Sequence, residues 1–364
     1  MFDSSESLSL GVRITLLTCI LVPGLLTAAT PWLMPKSEVF TVTLPASALR
    51  DPRLLGLRRR YALTMVALTA ALTAVALLNI ENVPLFVVAS LLLPLIGFLD
   101  MLACRSRVLA LKSSEGWRVE GSRVSSVTLP KEAPGPVSLR WNLLYVPIIL
   151  ATVVLTAALY PAMPGRLVMQ VGFDGRVTSW ADKTPWSSGF PVIVQVFVAC
   201  VLVACHVAAI HSKRPASAAA PIASSLRYGR FAQAQTAVLL VMGLALTAGM
   251  ALVPLADVGL IDLGSATLLI MALTLAALVA SVVVALRYGQ AGALLADGAA
   301  GASADDDACW KAGVFYVNPD DPSIVVPRRF GIGWTLNLGN WRSWLALAAL
   351  VGATVLFCVA VSMI

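Results

Sequence analysis

Residues 84–107 read PLFVVASLLLPLIGFLDMLACRSR: twenty-one mostly apolar residues, then Arg105 and Arg107. About 20 apolar residues are what a helix needs to cross the hydrocarbon core of a bilayer. Seven further stretches follow the same rule, at 12–33, 62–79, 142–161, 190–210, 232–254, 264–286 and 343–363. Residues 62–79 are the shortest of these, and the Asn79 to Pro84 turn joins them to 84–104 as a helical hairpin. The composition agrees, since 59% of the 364 residues are hydrophobic and 12% are charged. A soluble domain carries about 25% charge, so this chain needs lipid as solvent.

The cations are distributed unevenly. Lys36, Arg50, Arg53, Arg58, Arg59 and Arg60 follow the first span, and Arg105, Arg107, Lys112, Arg118, Arg123, Lys131 and Arg140 follow the third. Lys213, Arg214, Arg227 and Arg230 follow the fifth, and Arg287, Lys311, Arg328 and Arg329 follow the seventh. The alternate loops hold only Arg166, Arg176 and Lys183, with Arg13 at the start. Positive loops stay in the cytoplasm, which predicts both termini outside. The expected fold is an all-α polytopic membrane protein of about eight transmembrane helices. A small outer cap loop (162–189) and a small β-rich cytoplasmic module (310–339) before the last helix complete it. The organisation expected is helices one to three in 1–104, with a cytoplasmic loop at 34–60, then a cytoplasmic loop at 105–141. Helices four and five follow in 142–210, a loop with helices six and seven in 211–286, a cytoplasmic segment at 287–341 and the last helix in 342–364.

Little catalytic chemistry is legible. Asp100 is the one carboxylate within a span, and ion-coupled transporters keep several. The six cysteines include no CxxC pair, and His206 and His211 stand five apart, off the spacing of a helical metal pair. Interface placement is the reading for both histidines. Asp305, Asp306 and Asp307 with Asp320 and Asp321 lack the ligand spacing of a calcium loop and read as solvated acid. No cofactor, metal or nucleic acid is expected, and no enzymatic activity. Asp3 and Glu6 outnumber Arg13 at the start, so the first apolar stretch reads as a retained helix.

Two loops carry pattern. From Met169 to Val177 residues alternate as in a strand and turn at Asp174-Gly175, with Trp180 and Lys183 following as an interface pair. In the tail, Val314 to Val317 and Ile324 to Val326 flank Asn318-Pro319-Asp320-Asp321-Pro322, and Trp334 to Leu338 follows a glycine hinge. Proline with Asn and Asp closes turns, so a small β-meander is expected here. Gly116 to Val127 suggests a further hairpin.

The outer loop resembles the domain-of-unknown-function family 1648 of bacterial SdpI-like membrane proteins, through Met163-Pro164, Gly175, Trp180 and Lys183. Gln170 stands where that family usually has His, and Thr178 where it has Asp, so no role resting on that histidine carries over. The tail resembles family 5808, through the aromatic-Asn-Pro-Asp-Asp-Pro turn, Val326-Pro327-Arg328-Arg329, Gly331-Ile332-Gly333-Trp334 and Asn337. Pro35 to Tyr61 resembles the cytoplasmic segment of such proteins. The resemblance implies a non-enzymatic bacterial plasma-membrane protein of envelope-sensor or toxin-immunity type. Gln170, Gly175, Trp180 and Lys183 would then meet an external peptide or the lipid surface. Asn318, Asp320, Asp321, Arg328, Arg329 and Trp334 would dock a cytoplasmic regulator. The alternative is a transporter or permease-like protein for an apolar or lipidic substrate.

Overall fold

The computed structural model describes residues 10–79, 82–119, 133–171, 177–214, 220–295 and 305–364. In chain order the elements are α1 (Leu10–Leu33), a hairpin of β1 (Glu38–Val39) and β2 (Val42–Thr43), α2 (Pro52–Leu78), α3 (Val83–Ser114) and α4 (Tyr145–Leu159). A second hairpin, β3 (Arg166–Val171) and β4 (Val177–Asp182), leads through the short α5 (Pro185–Ser188) into α6 (Phe190–Ile210) and α7 (Pro221–Met250). After α8 (Val253–Asp257) and α9 (Leu263–Tyr288) come β5 (Trp310–Lys311), β6 (Phe315–Tyr316), β7 (Val325–Pro327), β8 (Trp334–Leu336) and α10 (Trp341–Ser362). Eight of these helices are long and apolar enough to cross a membrane, as the sequence predicts.

Several helices run past their apolar stretches. α2 begins at Pro52, ten residues ahead of the predicted span, because Asp51 caps it by accepting from the Arg53 amide and proline suits the first turn. Arg58, Arg59 and Arg60 therefore lie on a helix, not in a loop. Arg60 pairs with Asp100 at 3.0 Å, which gives the carboxylate read within the third predicted span a structural partner. α3 continues to Ser114, and its 32 residues span about 48 Å against about 30 Å of hydrocarbon. It therefore projects well beyond the bilayer. Most of the hairpin suggested from Gly116 to Val127 lies outside the described residues.

Two helix groups form. In the first, α1, α2 and α3 approach closely at glycine: a Cβ on Gly24 would strike the Thr69 side chain, and one on Gly97 would lie 2.6 Å from Thr27. Such small-residue contacts replace the hydrophobic drive that lipid cannot supply. In the second, α4, α6 and α7 enclose a polar seam, in which Gln195 donates to the Thr152 hydroxyl (2.8 Å) and the Thr247 carbonyl (2.7 Å). His206 lies in the same group. It is buried within the protein, with Nε2 2.8 Å from the Val137 carbonyl and Nδ1 3.0 Å from the Asn142 amide nitrogen. α9 packs on both α1 and α7 and joins the groups. α10 packs chiefly on α6, through stacked Phe197 and Phe357 at 4.2 Å, and Ser343 is its one buried residue.

Gly243 is the tightest point of the second group, since a Cβ there would overlap the Tyr145 hydroxyl and close on Leu202. Gly243→Ala should destabilise the chain by about 1–3 kcal/mol. Gly352 on α10 has open space around it, so Gly352→Ala is the matched control. Thermal melting in detergent reads the difference, and equal midpoints would discard the packing argument.

Candidate functional site

The cap hairpin is antiparallel, with Leu167 opposite Ala181 and Val168 opposite Trp180. Its alternation turns Leu167 and Ala181 inward, while Trp180 is 54% exposed and Gln170 is exposed. Lys183 is tethered rather than free. Its ammonium donates to the Met163 carbonyl at 2.9 Å and sits 4.8 Å from the centre of the Tyr160 ring, and its amide donates to Gly165 at 2.9 Å. Gly175 and its turn lie outside the described residues. Beyond the hairpin, Thr184 and Ser187 cap α5 reciprocally. They present Trp186, whose indole N–H donates to the Ala360 carbonyl of α10 at 2.9 Å.

On the opposite face of the bundle three segments meet. β1 and β2 are joined by Phe40 and Thr41, both at positive φ (46° and 64°), a strained conformation for such residues. Burial holds it: Phe40 is fully enclosed and meets Tyr61 edge-on at 5.5 Å. Arg105 of α3 donates to the Thr41 carbonyl at 2.6 Å, and the tail's Arg329 donates to the same oxygen at 2.8 Å. Gly313 of the tail, at φ +73°, fits against Thr41 where a Cβ would collide.

Arg329 is 4% exposed and is the hub. It pairs with Asp306, with Asp307 at 2.5 Å and with Glu38 at 3.5 Å, and donates to the Thr43 hydroxyl at 3.0 Å. Lys112 of α3 closes the cluster on Asp305 (2.6 Å) and Asp307 (2.8 Å). The three consecutive aspartates are thus paired, not solvated as read from the sequence. Burial pushes the Asp307 carboxyl up, but Arg329 and Lys112 outweigh it and hold it below the usual range. Glu38 goes the other way. Burial pushes it up to about 7 against the pull of Arg329, and Asp306 and Asp307 add to the rise.

The tail itself is two hairpins, not one meander. β5 pairs with β6 and β7 with β8, so Val314 to Val317 and Ile324 to Val326 do not pair across the Asn-Pro-Asp-Asp-Pro turn. The reason is Asn337, fully buried between the hairpins. Its amide donates to the carbonyls of Asn318 (2.9 Å), Asp321 (3.0 Å) and Ser323 (3.1 Å), and its oxygen accepts from Asn318 (3.0 Å) and Gly339 (3.1 Å). Asp321 accepts from Lys213 at 2.5 Å and from the Tyr316 hydroxyl at 2.8 Å. Burial raises its pKa, yet these donors and the Ser323 amide outweigh it and hold the group at about 2. The Trp334 indole donates to Tyr228 of α7 at 3.0 Å, and Gln290 bridges Arg328 and Gly333 through their carbonyls.

Residues 148–194 match the model of DUF1648, a domain of unknown function, and residues 319–344 match that of DUF5808, a family of unknown function. The chain carries both domains. No curated protein and no solved structure matches it.

The DUF1648 segment covers α4 from Ile148, the cap, Trp186 and the start of α6. The DUF5808 segment covers the tail turn, Asn337 and the start of α10. Of the tail residues singled out from sequence, Asn318, Asp321 and Arg329 are buried in internal bonds. Trp334 is half-buried, and Asp320 and Arg328 are exposed. Glu38, Thr41, Arg105, Lys112, Lys213 and Gln290 were not read as site residues. Asn337 had a sequence cue in its place in the DUF5808 pattern, and Glu38 in the resemblance of Pro35 to Tyr61 to the cytoplasmic segment of such proteins.

Proposed function

We propose that this is a non-enzymatic protein of the bacterial plasma membrane, of envelope-sensor or toxin-immunity type. In this reading the cap and both termini lie outside and the tail lies in the cytoplasm. An external peptide would meet the exposed Gln170 and Trp180. A cytoplasmic regulator would meet the exposed edge of the tail around Asp320 and Arg328. The cation excess of the tail-side loops supports the orientation.

One observation carries the coupling: α10 is fastened at both ends and loosely held between them. At the cap end the Ala360 carbonyl lies in the last turn, where helical oxygens have no intrahelical partner, and the Trp186 indole supplies one. At the tail end the Asn340 amide bonds Pro322 (3.0 Å), Ser343 bonds Ile324 (3.3 Å) and the Trp344 indole bonds Leu338 (3.0 Å). The helix between spans about 33 Å. A displacement of the cap is therefore passed to the tail hairpins along one rod.

Trp186→Phe keeps an aromatic ring and removes the donor. A net hydrogen-bond loss of about 0.5–1.5 kcal/mol should speed amide exchange in residues 316–339 about threefold or more. Exchange confined to the cap, with the tail unmoved, would sink the coupling.

A further inference from the structure

We propose that Glu38 is a proton-controlled latch, protonated while the β1–β2 hairpin is clasped to the tail and ionised once the two separate. The geometry supplies the reason. Glu38 is 5% exposed, and its Oε1 faces Arg329 while its Oε2 makes no hydrogen bond. The charges facing it come from every element packed there: Arg329, Asp306 and Asp307 from the tail and Arg105 from α3. From α2, Arg58 donates to the Glu38 carbonyl at 3.1 Å, not to the carboxyl.

Arg329 gives its close contacts to the aspartates, with Asp307 at 2.5 Å, and meets Glu38 only at 3.5 Å. An ionised Glu38 would hold one carboxylate oxygen buried without a donor, beside the charges of Asp306 and Asp307. Burying a charge so poorly served is costly, so the clasped form retains the proton. The free Oε2 is the place where the proton can sit.

The carboxyl value of about 7 in the clasped form, against an ordinary 4.5, agrees with this. The sign follows from proton counting. Between those values the clasped form binds more protons than the open one, so the clasp is strongest at low pH. It weakens as pH rises through the window and levels off above about 7. From pH 6 to pH 8 the opening equilibrium should shift about tenfold toward the open form. The latch works on the tail directly and does not require the α10 coupling proposed above.

Amide exchange tests it on the full chain in neutral-lipid nanodiscs, with rates corrected for the intrinsic pH dependence of exchange. The reporters are the Thr43 amide, which donates to Asp307, and the Leu44 amide, which donates to Ser37. Opening in wild type should rise about tenfold from pH 6 to pH 8, stay flat in Glu38→Gln, and keep a slope in Glu38→Asp. A flat wild-type profile overturns the latch, and so does a Glu38→Gln profile as steep as wild type. If Glu38→Gln does not fold, Glu38→Asp decides: a retained slope supports the latch, and a flat one overturns it.

Discussion

Arg329→Met is expected to release the tail from the β1–β2 hairpin and to destabilise that side of the molecule by about 3–5 kcal/mol, the range for removing one partner of a buried ion pair. Methionine approximates the length of the arginine stem, so the effect reports charge and hydrogen bonding more than lost volume. The substitution strands Asp306, leaves Asp307 to Lys112 and Thr43, and removes a donor from the Thr41 carbonyl. That carbonyl belongs to one of the two strained turn residues, so the turn loses an anchor as well. Arg329→Lys should recover little, because one compact ammonium cannot serve Glu38, Asp306, Asp307, Thr41 and Thr43 together. Asp306→Asn added to Arg329→Met should recover part of the loss, since it removes the stranded charge. Melting in detergent, read alongside amide exchange of residues 36–44, measures all three variants. An unchanged midpoint with an intact hairpin would show that the cluster does not hold these segments together.

Arg329 also marks the limit of what the sequence discloses. Lipid imposes a length and a composition on every crossing segment, so eight stretches such as 84–104 are legible one by one. Their ends are not. Pro52 and Asp51 start α2 through capping chemistry, and α3 continues past Arg105 because nothing in the next nine residues breaks a helix. The cap strands are legible from alternation. The tail turn is legible as a turn, but its role is not. Asn318, Asp321 and Arg329 look like surface polar residues because their partners lie far away: Arg329 reaches Thr41 across 288 positions, and Asp321 reaches Lys213 across 108. Composition places Asp305, Asp306 and Asp307 in water. Only the folded chain places Arg329 and Lys112 against them.

Two kinds of contact therefore converge on the tail. The ion cluster ties the aspartates ahead of the first hairpin and the Arg329 turn of the second to the loop after α1 and to α3, and the bonds from Tyr228, Lys213 and Gln290 tie the tail to α7 and to the segments that follow α6 and α9. A protein built only to fill the membrane has no need of such a keystone. Every loop on this side except the described ends of 117–138 contributes a polar group to the tail, so movement of one bears on the others. Glu38 lies buried beside the carboxylates of that network, and α10 runs from the tail to the carbonyl that Trp186 bonds.

The keystone itself is Asn337, and Asn337→Ala is expected to cost about 3 kcal/mol and to separate the two hairpins. The side chain makes five hydrogen bonds from a fully buried position, and alanine leaves the Asn318 and Gly339 amides and three carbonyls without that partner. Buried polar groups left unpaired account for more of this cost than the bonds lost. Asn337→Asp separates the two roles. Its carboxylate can still accept from Asn318 and Gly339, but its second oxygen faces three carbonyls and repels them. It should therefore be at least as damaging as alanine, although it is the closest match in shape. Because Gly339 and Asn340 lead directly into α10, exchange should accelerate from residue 316 through the first turn of α10 in both variants. The β1–β2 hairpin, held by Arg105 independently of Asn337, should change less. Uniform acceleration of both regions would mean that the tail and the hairpin open as one unit, and the latch at Glu38 would then govern the whole face rather than one clasp.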